Sequence, residues 1–192
     1  MPVPSNQEIK EILSKRLSSK KYVHSLGVAE TAGRLAVRYG YDENKAYLAG
    51  LVHDYAKNLP VADLITMSEK ERLLDDESEL MMPEVLHAPV GAYLIKRELD
   101  IQDPEILQAV RCHTLGAAEM SLLDEIIYVA DMIEPNRTFA ELDYFHKTAF
   151  DNLSRCVIMT ADNSIMYCIE KNKLLHPRSI ETRNSYLEKQ KR

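Results

Sequence analysis

Apolar positions recur along the chain at three- and four-residue spacing, and almost every run opens on a capping residue and closes on glycine or proline. Ser5 with Glu8 forms a capping box ahead of Ile9, Ile12, Leu13 and Leu17, which predicts a first amphipathic helix. Residues 18–21 predict a short break. A second helix then carries Tyr22, Leu26, Ala29, Gly33 and Ala36 on one stripe and ends at Gly40, with His24 near its start. Asp42 caps a third helix, expected to run as far as Pro60. Its Ala46, Ala49, Gly50 and His53 fall at i, i+3, i+4 and i+7, so His53 is expected on the inward face.

Further along, residues 61–74 predict a weaker helix, and the acidic stretch 75–79 (DDESE) reads as a solvated turn or loop. Met81 and Met82 are expected to fill gaps in the core. Pro89 suits the first turn of a helix, leaving His87 at its N-terminal edge, where backbone NH groups favour an anion. Asp103 and Pro104 open a helix that reaches His113, with Gly116 beyond it. Ser121 caps the next, in which Leu122, Ile126, Val129 and Ile133 form the stripe, Asp131 is the lone acid of IIYVADMI, and Pro135 ends the run. A long helix over 150–172, a last helix after Pro177 and a frayed tail over 188–192 complete the pattern. No alternating strand pattern and no internal repeat occurs, so the expected fold class is all-α.

Composition narrows the class. At 192 residues and 45% hydrophobic content the chain can hold a full core, and one domain over 1–192 is expected. A formal net charge of -6 gives no general attraction to nucleic acid or an anionic membrane. Cys112, Cys156 and Cys168 are odd in number and lack metal-type spacing, which points to a reducing compartment without a disulfide framework. The segment MPVPSNQEIK has no apolar signal core and no window approaches a membrane span, so a cytoplasmic location is expected.

The chemistry concentrates where the helices meet their ends. Residues 51–60 read LVHDYAKNLP and set His53 beside Asp54, with Lys57 one turn on. Imidazole, carboxylate and ammonium are costly to bury without partners, and nitrogen with oxygen suits a divalent transition ion. Collected along the chain, His24, His53, Asp54, His87, His113 and Asp131 all lie in or at the edge of apolar helical segments. Four histidines and two carboxylates exceed what a tetrahedral zinc site needs. That favours a higher-coordinate ion such as Fe(II), Mn(II) or Co(II), or a pair of ions, with one and two both left open.

The order of these six residues, with the segments YVHSLGVAETA, AGLVHDYAK, LHAPVGA, RCHTLG and ADMIEPNR, resembles the HD-domain phosphohydrolase superfamily, and within it the YqeK-type branch of symmetrically cleaving bis(5'-nucleosyl)-tetraphosphatases. The resemblance implies an HD-domain helical bundle with a metal-site core over about 19–138 and C-terminal helices over about 139–192 packed on it. It implies that His24, His53, Asp54 and Asp131 hold a metal ion, with iron the expected identity. His87 and His113 would hold a second ion or meet substrate phosphates, and Thr114 and Arg137 would contact phosphate. Asp54 would bridge ions or orient the attacking water, and Lys57 would neutralise developing phosphate charge. The implied reaction is in-line attack on an inner phosphorus of diadenosine tetraphosphate, giving two ADP, with no nucleic-acid or membrane partner and a homodimer left open. Two other functions compete: an HD nucleotidase acting on mononucleotides or guanosine alarmones, and a non-catalytic module that senses nucleotide or docks a partner. Alarmone hydrolases share the outer pattern but do not call for both His87 and His113. His146, His176 and the segment 178–186 stand outside the assigned motifs, and Glu134 is expected to pair with a neighbouring base or with nothing.

Overall fold

The computed structural model describes residues 3–191; Met1, Pro2 and Arg192, and what was expected of them, lie outside the described residues. Ten α-helices run in order: α1 (Asn6–Arg16), α2 (Ser19–Tyr39), α3 (Glu43–Val52), α4 (Val61–Lys70), α5 (His87–Glu98), α6 (Pro104–Cys112), α7 (Leu122–Ile133), α8 (Leu142–Asp151), α9 (Leu153–Glu170) and α10 (Pro177–Gln190). Two 3-10 turns, Glu77–Met81 and Pro83–Val85, lie between α4 and α5, and no strand occurs among the described residues. The all-α expectation holds.

Helix α7 is the axis. Leu123, Ile126, Ile127, Tyr128, Val129, Ala130 and Ile133 are all buried, so it is apolar nearly all round, as a helix enclosed by others must be. α2, α3, α6, α8 and α9 pack on it. α2 and α3 pack closely on each other because Gly50 has no side chain: a Cβ there would stand 2.9 Å from Ala29 Cα. α10 lies along α9 and is tied back to α7, since the buried Tyr186 donates its hydroxyl to Glu125 at 2.6 Å. The expected caps form: Ser5 with Glu8 is a capping box, Asp42 accepts from Lys45, and Ser121 forms a second box with Asp124.

Several expectations need correction. The break before α2 is shorter than 18–21, with Ser18 the N-cap and Ser19 already helical. α3 stops at Val52 instead of Pro60. The His53 ring takes the Gly50 carbonyl that the helical ladder would use for the next NH, and the chain continues as tight turns, Tyr55 to Val52, Lys57 to Asp54 and Leu59 to Ala56. The long helix expected over 150–172 is α9, Leu153–Glu170, and a separate helix not expected from the sequence, α8, precedes it. Asn152, extended at φ -152° and ψ 97°, caps α9 through Arg155, so Phe150 belongs to α8. The helical spacing also predicts burial of Ile169, but toward the end of α9 it is exposed. The stretch 75–79 is solvated only in part: Asp75, Asp76 and Glu77 are exposed, but Glu79 is buried and Asp75 is clamped by two arginines. Met82 is buried as expected, whereas Met81 is 70% exposed. The C-terminal tail is helical to Gln190 rather than frayed from Glu188. His176 is buried and caps α10, and His146 is half-buried on α8.

Candidate metal centre

All six chemistry-bearing residues converge on one point where α2, α3, α5, α6 and α7 meet. His24 reaches it from the body of α2, His53 and Asp54 from the end of α3, His87 from the first residue of α5, His113 from the end of α6, and Asp131 from α7. The Asp54 carboxylate lies at the centre. His87 Nε2 is 3.1 Å and His113 Nε2 3.5 Å from its Oδ1, and His53 Nε2 is 3.7 Å and His24 Nε2 3.9 Å from its Oδ2. Asp131 Oδ1 approaches His24 Nε2 at 3.0 Å. His53, Asp54, His87 and His113 are buried; His24 and Asp131 form the more open side.

The ring nitrogens not facing the centre fix the chemistry. His53 Nδ1 lies 2.7 Å from Gly50 O, His87 Nδ1 2.6 Å from Glu84 O and His113 Nδ1 2.7 Å from Val110 O. A carbonyl only accepts, so each of these Nδ1 atoms carries the proton, and each Nε2 directs a bare lone pair inward. His87 and His113 Nε2 then face each other at 3.1 Å with no hydrogen between them. His53 Nε2 and Asp54 Oδ1 are buried with no hydrogen-bond partner. Converging lone pairs and carboxylate oxygens repel unless a cation sits among them, and this donor set fits a divalent ion of the transition series. Two groups have ligand atoms mutually within 4.8 Å and could hold an ion: His24, His53 and Asp131, and His53, Asp54 and His113.

Electrostatics agrees with that reading. Burial pushes His53 down to about 3, so its imidazole is neutral, and burial with the nearby Lys57 ammonium also lowers His87. Burial alone would raise the Asp54 carboxyl, but the facing His53, His113 and His87 rings and Lys57 hold it well below the ordinary carboxylate range. Asp131 is lowered strongly against partial burial by His24, His53 and Arg137. His24 is raised, because its carboxylate acceptors, Asp131 and Glu134, outweigh its burial.

The flanking residues also meet the cluster. Lys57 Nζ donates to His87 Nε2 at 2.8 Å and lies 3.4 Å from Asp54 Oδ1. Thr114 Oγ1 is 3.2 Å from His113 Nε2 and 3.4 Å from His87 Nε2. Arg137, 43% exposed, donates to Asp131 Oδ1 at 2.6 Å and to the Asp131 carbonyl at 3.0 Å. Of the two alternatives for Glu134, pairing with a base or with nothing, the first holds: it is buried and its Oε1 lies 3.1 Å from His24 Nδ1. Its place in EPNR, three residues after Asp131, was the available signal.

Comparison with known proteins places this geometry. The family model described as HD domain matches residues 22–136. A symmetrical bis(5'-nucleosyl)-tetraphosphatase from Bacillus subtilis is 39% identical over 94% of this chain and 96% of its own length. A protein of the same name from Staphylococcus aureus is 33% identical over 94% of this chain and 93% of its own. A crystal structure from Clostridium acetobutylicum, described as an HD superfamily hydrolase involved in NAD metabolism, superposes with a TM-score of 0.94 at 40% identity, covering 97% of this chain and 99% of that one.

Proposed function

This chain belongs to the HD domain family, and on that premise we propose that it is a divalent-metal hydrolase that splits diadenosine tetraphosphate and related dinucleoside polyphosphates symmetrically into nucleoside diphosphates. The observation that carries the reading is the convergence of four imidazole Nε2 atoms on two carboxylates, with three Nδ1 protons already committed to backbone carbonyls. Relatives of nearly full length bear the name of this activity.

We assign His24, His53, Asp54 and Asp131 to one ion, with His87 and His113 available to a second. The ligand number suits Fe(II), Mn(II) or Co(II), and the family resemblance favours Fe(II) among them. Such an ion supplies Lewis acidity, lowering the pKa of water and drawing charge from a phosphoryl oxygen. The chain's own groups do the rest. Asp54, held ionised at the centre, would bridge two ions or orient the attacking water. Lys57 sets an ammonium beside Asp54 and His87, where charge develops on the transferring phosphorus. Arg137 offers its exposed planar fork to a phosphate at the open side, and Thr114 offers a hydroxyl at the buried side. The anionic substrate thereby meets a local cationic pocket on a chain of net charge -6.

The C-terminal helices α8, α9 and α10 are read as part of one domain with this core, acting in a reducing, cytoplasmic setting. No helix among the described residues is long and apolar enough to cross a membrane.

The test is a product analysis of the anaerobically iron- or cobalt-loaded protein with diadenosine tetraphosphate. ADP as sole product is expected. AMP with ATP rejects symmetric cleavage, and no product from this or any mononucleotide rejects catalysis in favour of a binding module.

A further inference from the structure

His24 differs from the other three imidazoles in how it is held. His53, His87 and His113 each sit at a helix end or first turn and give their Nδ1 proton to a backbone carbonyl three residues earlier. His24 lies inside the 21-residue helix α2, where nearby carbonyls are spent on the helical ladder, so its acceptor must come from another element. That element is the turn after α7. Glu134 is buried there, with Oε1 3.1 Å from His24 Nδ1 and Oε2 accepting from both the backbone NH and the side-chain amide of Asn136 at 2.8 Å. Room for the carboxylate comes from α2 itself: a Cβ on Gly27, one turn beyond His24, would stand 2.4 Å from Glu134 Oε2. Three features from two distant segments, HSLG and EPN, are thus fitted to a single carboxylate.

We propose that Glu134 is a positioning residue for the metal centre: it fixes the Nδ1–H form of His24, aims its Nε2 at the ion and raises its strength as a ligand, while Asn136 and the missing side chain of Gly27 hold Glu134 in place. A carboxylate behind a ligating imidazole characteristically has these effects, and its loss costs about 10–100-fold in metal affinity. The proposal rests on the metal-site reading above but not on the identity of the substrate.

The experiment is Co(II) titration of the whole, metal-stripped protein, following affinity and the cobalt absorption spectrum, with circular dichroism to establish folding. Glu134→Ala is expected to bind Co(II) about 10–100-fold more weakly with a shifted spectrum. Glu134→Gln, of the same size but uncharged and donor-bearing toward Asn136, is expected to fall between Ala and the unaltered protein. A folded Glu134→Ala with unaltered affinity and spectrum overturns this inference and leaves the metal site standing. If Glu134→Ala does not fold, unaltered binding by Glu134→Gln overturns it equally. An unaltered protein that binds no Co(II) overturns the metal site and this inference together.

Discussion

Two polar clusters meet at the end of α6, through Arg111 and His113, and they differ in a way that total charge does not reveal. The first is the centre around Asp54. The second joins Asp75 and Glu79 to Arg111 and Arg178, with His176 beside them: Asp75 takes Arg111 at 2.6 Å and Arg178 at 2.7 Å, and Arg178 lies 3.5 Å from Glu79. Both contain buried histidine and carboxylate, and both have atoms without a hydrogen-bond partner, His53 Nε2 and Asp54 Oδ1 in one, His176 Nε2 and Glu79 Oε2 in the other. The tautomers separate them. His176 Nδ1 accepts from the Arg178 NH, so its Nε2 carries the proton and faces Glu79 Oε1 at 3.7 Å, donor toward acceptor. At Asp54 the lone pairs face one another. A cluster whose donors and acceptors balance is a clasp; one in which inward-facing acceptors outnumber the donors that reach them is fitted to hold a cation.

The widest break in this contrast comes from removing its centre. Asp54→Ala should lose bound metal and turnover together, by at least a hundredfold in activity, with metal content measured by elemental analysis; retained metal would dissolve the distinction. Arg178→Ala should do the opposite. It should leave metal content unchanged and lower stability by about 2 kcal/mol, because Glu79 and Asp75 lose a charged donor, a loss readable as a shift in denaturant midpoint.

The cluster around Asp54 was legible in sequence because each of its members lies in or at the edge of an apolar helical segment and their order resembles that of the HD-domain superfamily. The spacing of Ala46, Ala49 and Gly50 aims His53 inward, and the structure buries it completely. The clasp was not legible, since DDESE carries no sign that Arg111 and Arg178, 36 and 103 residues away from Asp75, return to neutralise it. Periodicity also failed where a side chain captures a backbone group. The His53 ring ends α3 early by taking Gly50 O, and Asn152 starts α9 later than the apolar spacing suggests by capping it through Arg155. The partner of Glu134 escaped for a third reason: its place three residues after Asp131 hints at the centre, but nothing local names a histidine 110 residues earlier until the two helices are docked.

Lys57 lies on the boundary between the two kinds of cluster, since its ammonium donates to His87 and lies beside Asp54 at the centre. If its ammonium serves phosphate, Lys57→Ala should lower turnover about tenfold with the first ion retained, measured as rate and metal content on the same sample. An unchanged rate would make Lys57 a mere counter-charge for Asp54 and His87.

The smallest effect sharpens the contrast from the side of the clasp. Burial alone would raise the Asp75 carboxyl, but hydrogen bonds and charge from Arg111 and Arg178 hold it below its ordinary 3.8. A depressed carboxylate contributes stability that is fully present above the unfolded value and is lost as pH falls through the folded one. Asp75 is 41% exposed, so solvent screens the pairs and the contribution is about 1 kcal/mol or less. Asp75→Asn should therefore be less stable than the unaltered protein at neutral pH, and the gap should close as pH falls below 3.8. Denaturation midpoints taken across that range check it. A gap of constant size would mean that Asp75 acts through shape, not charge, and that the clasp is held by Glu79 and Arg178 alone.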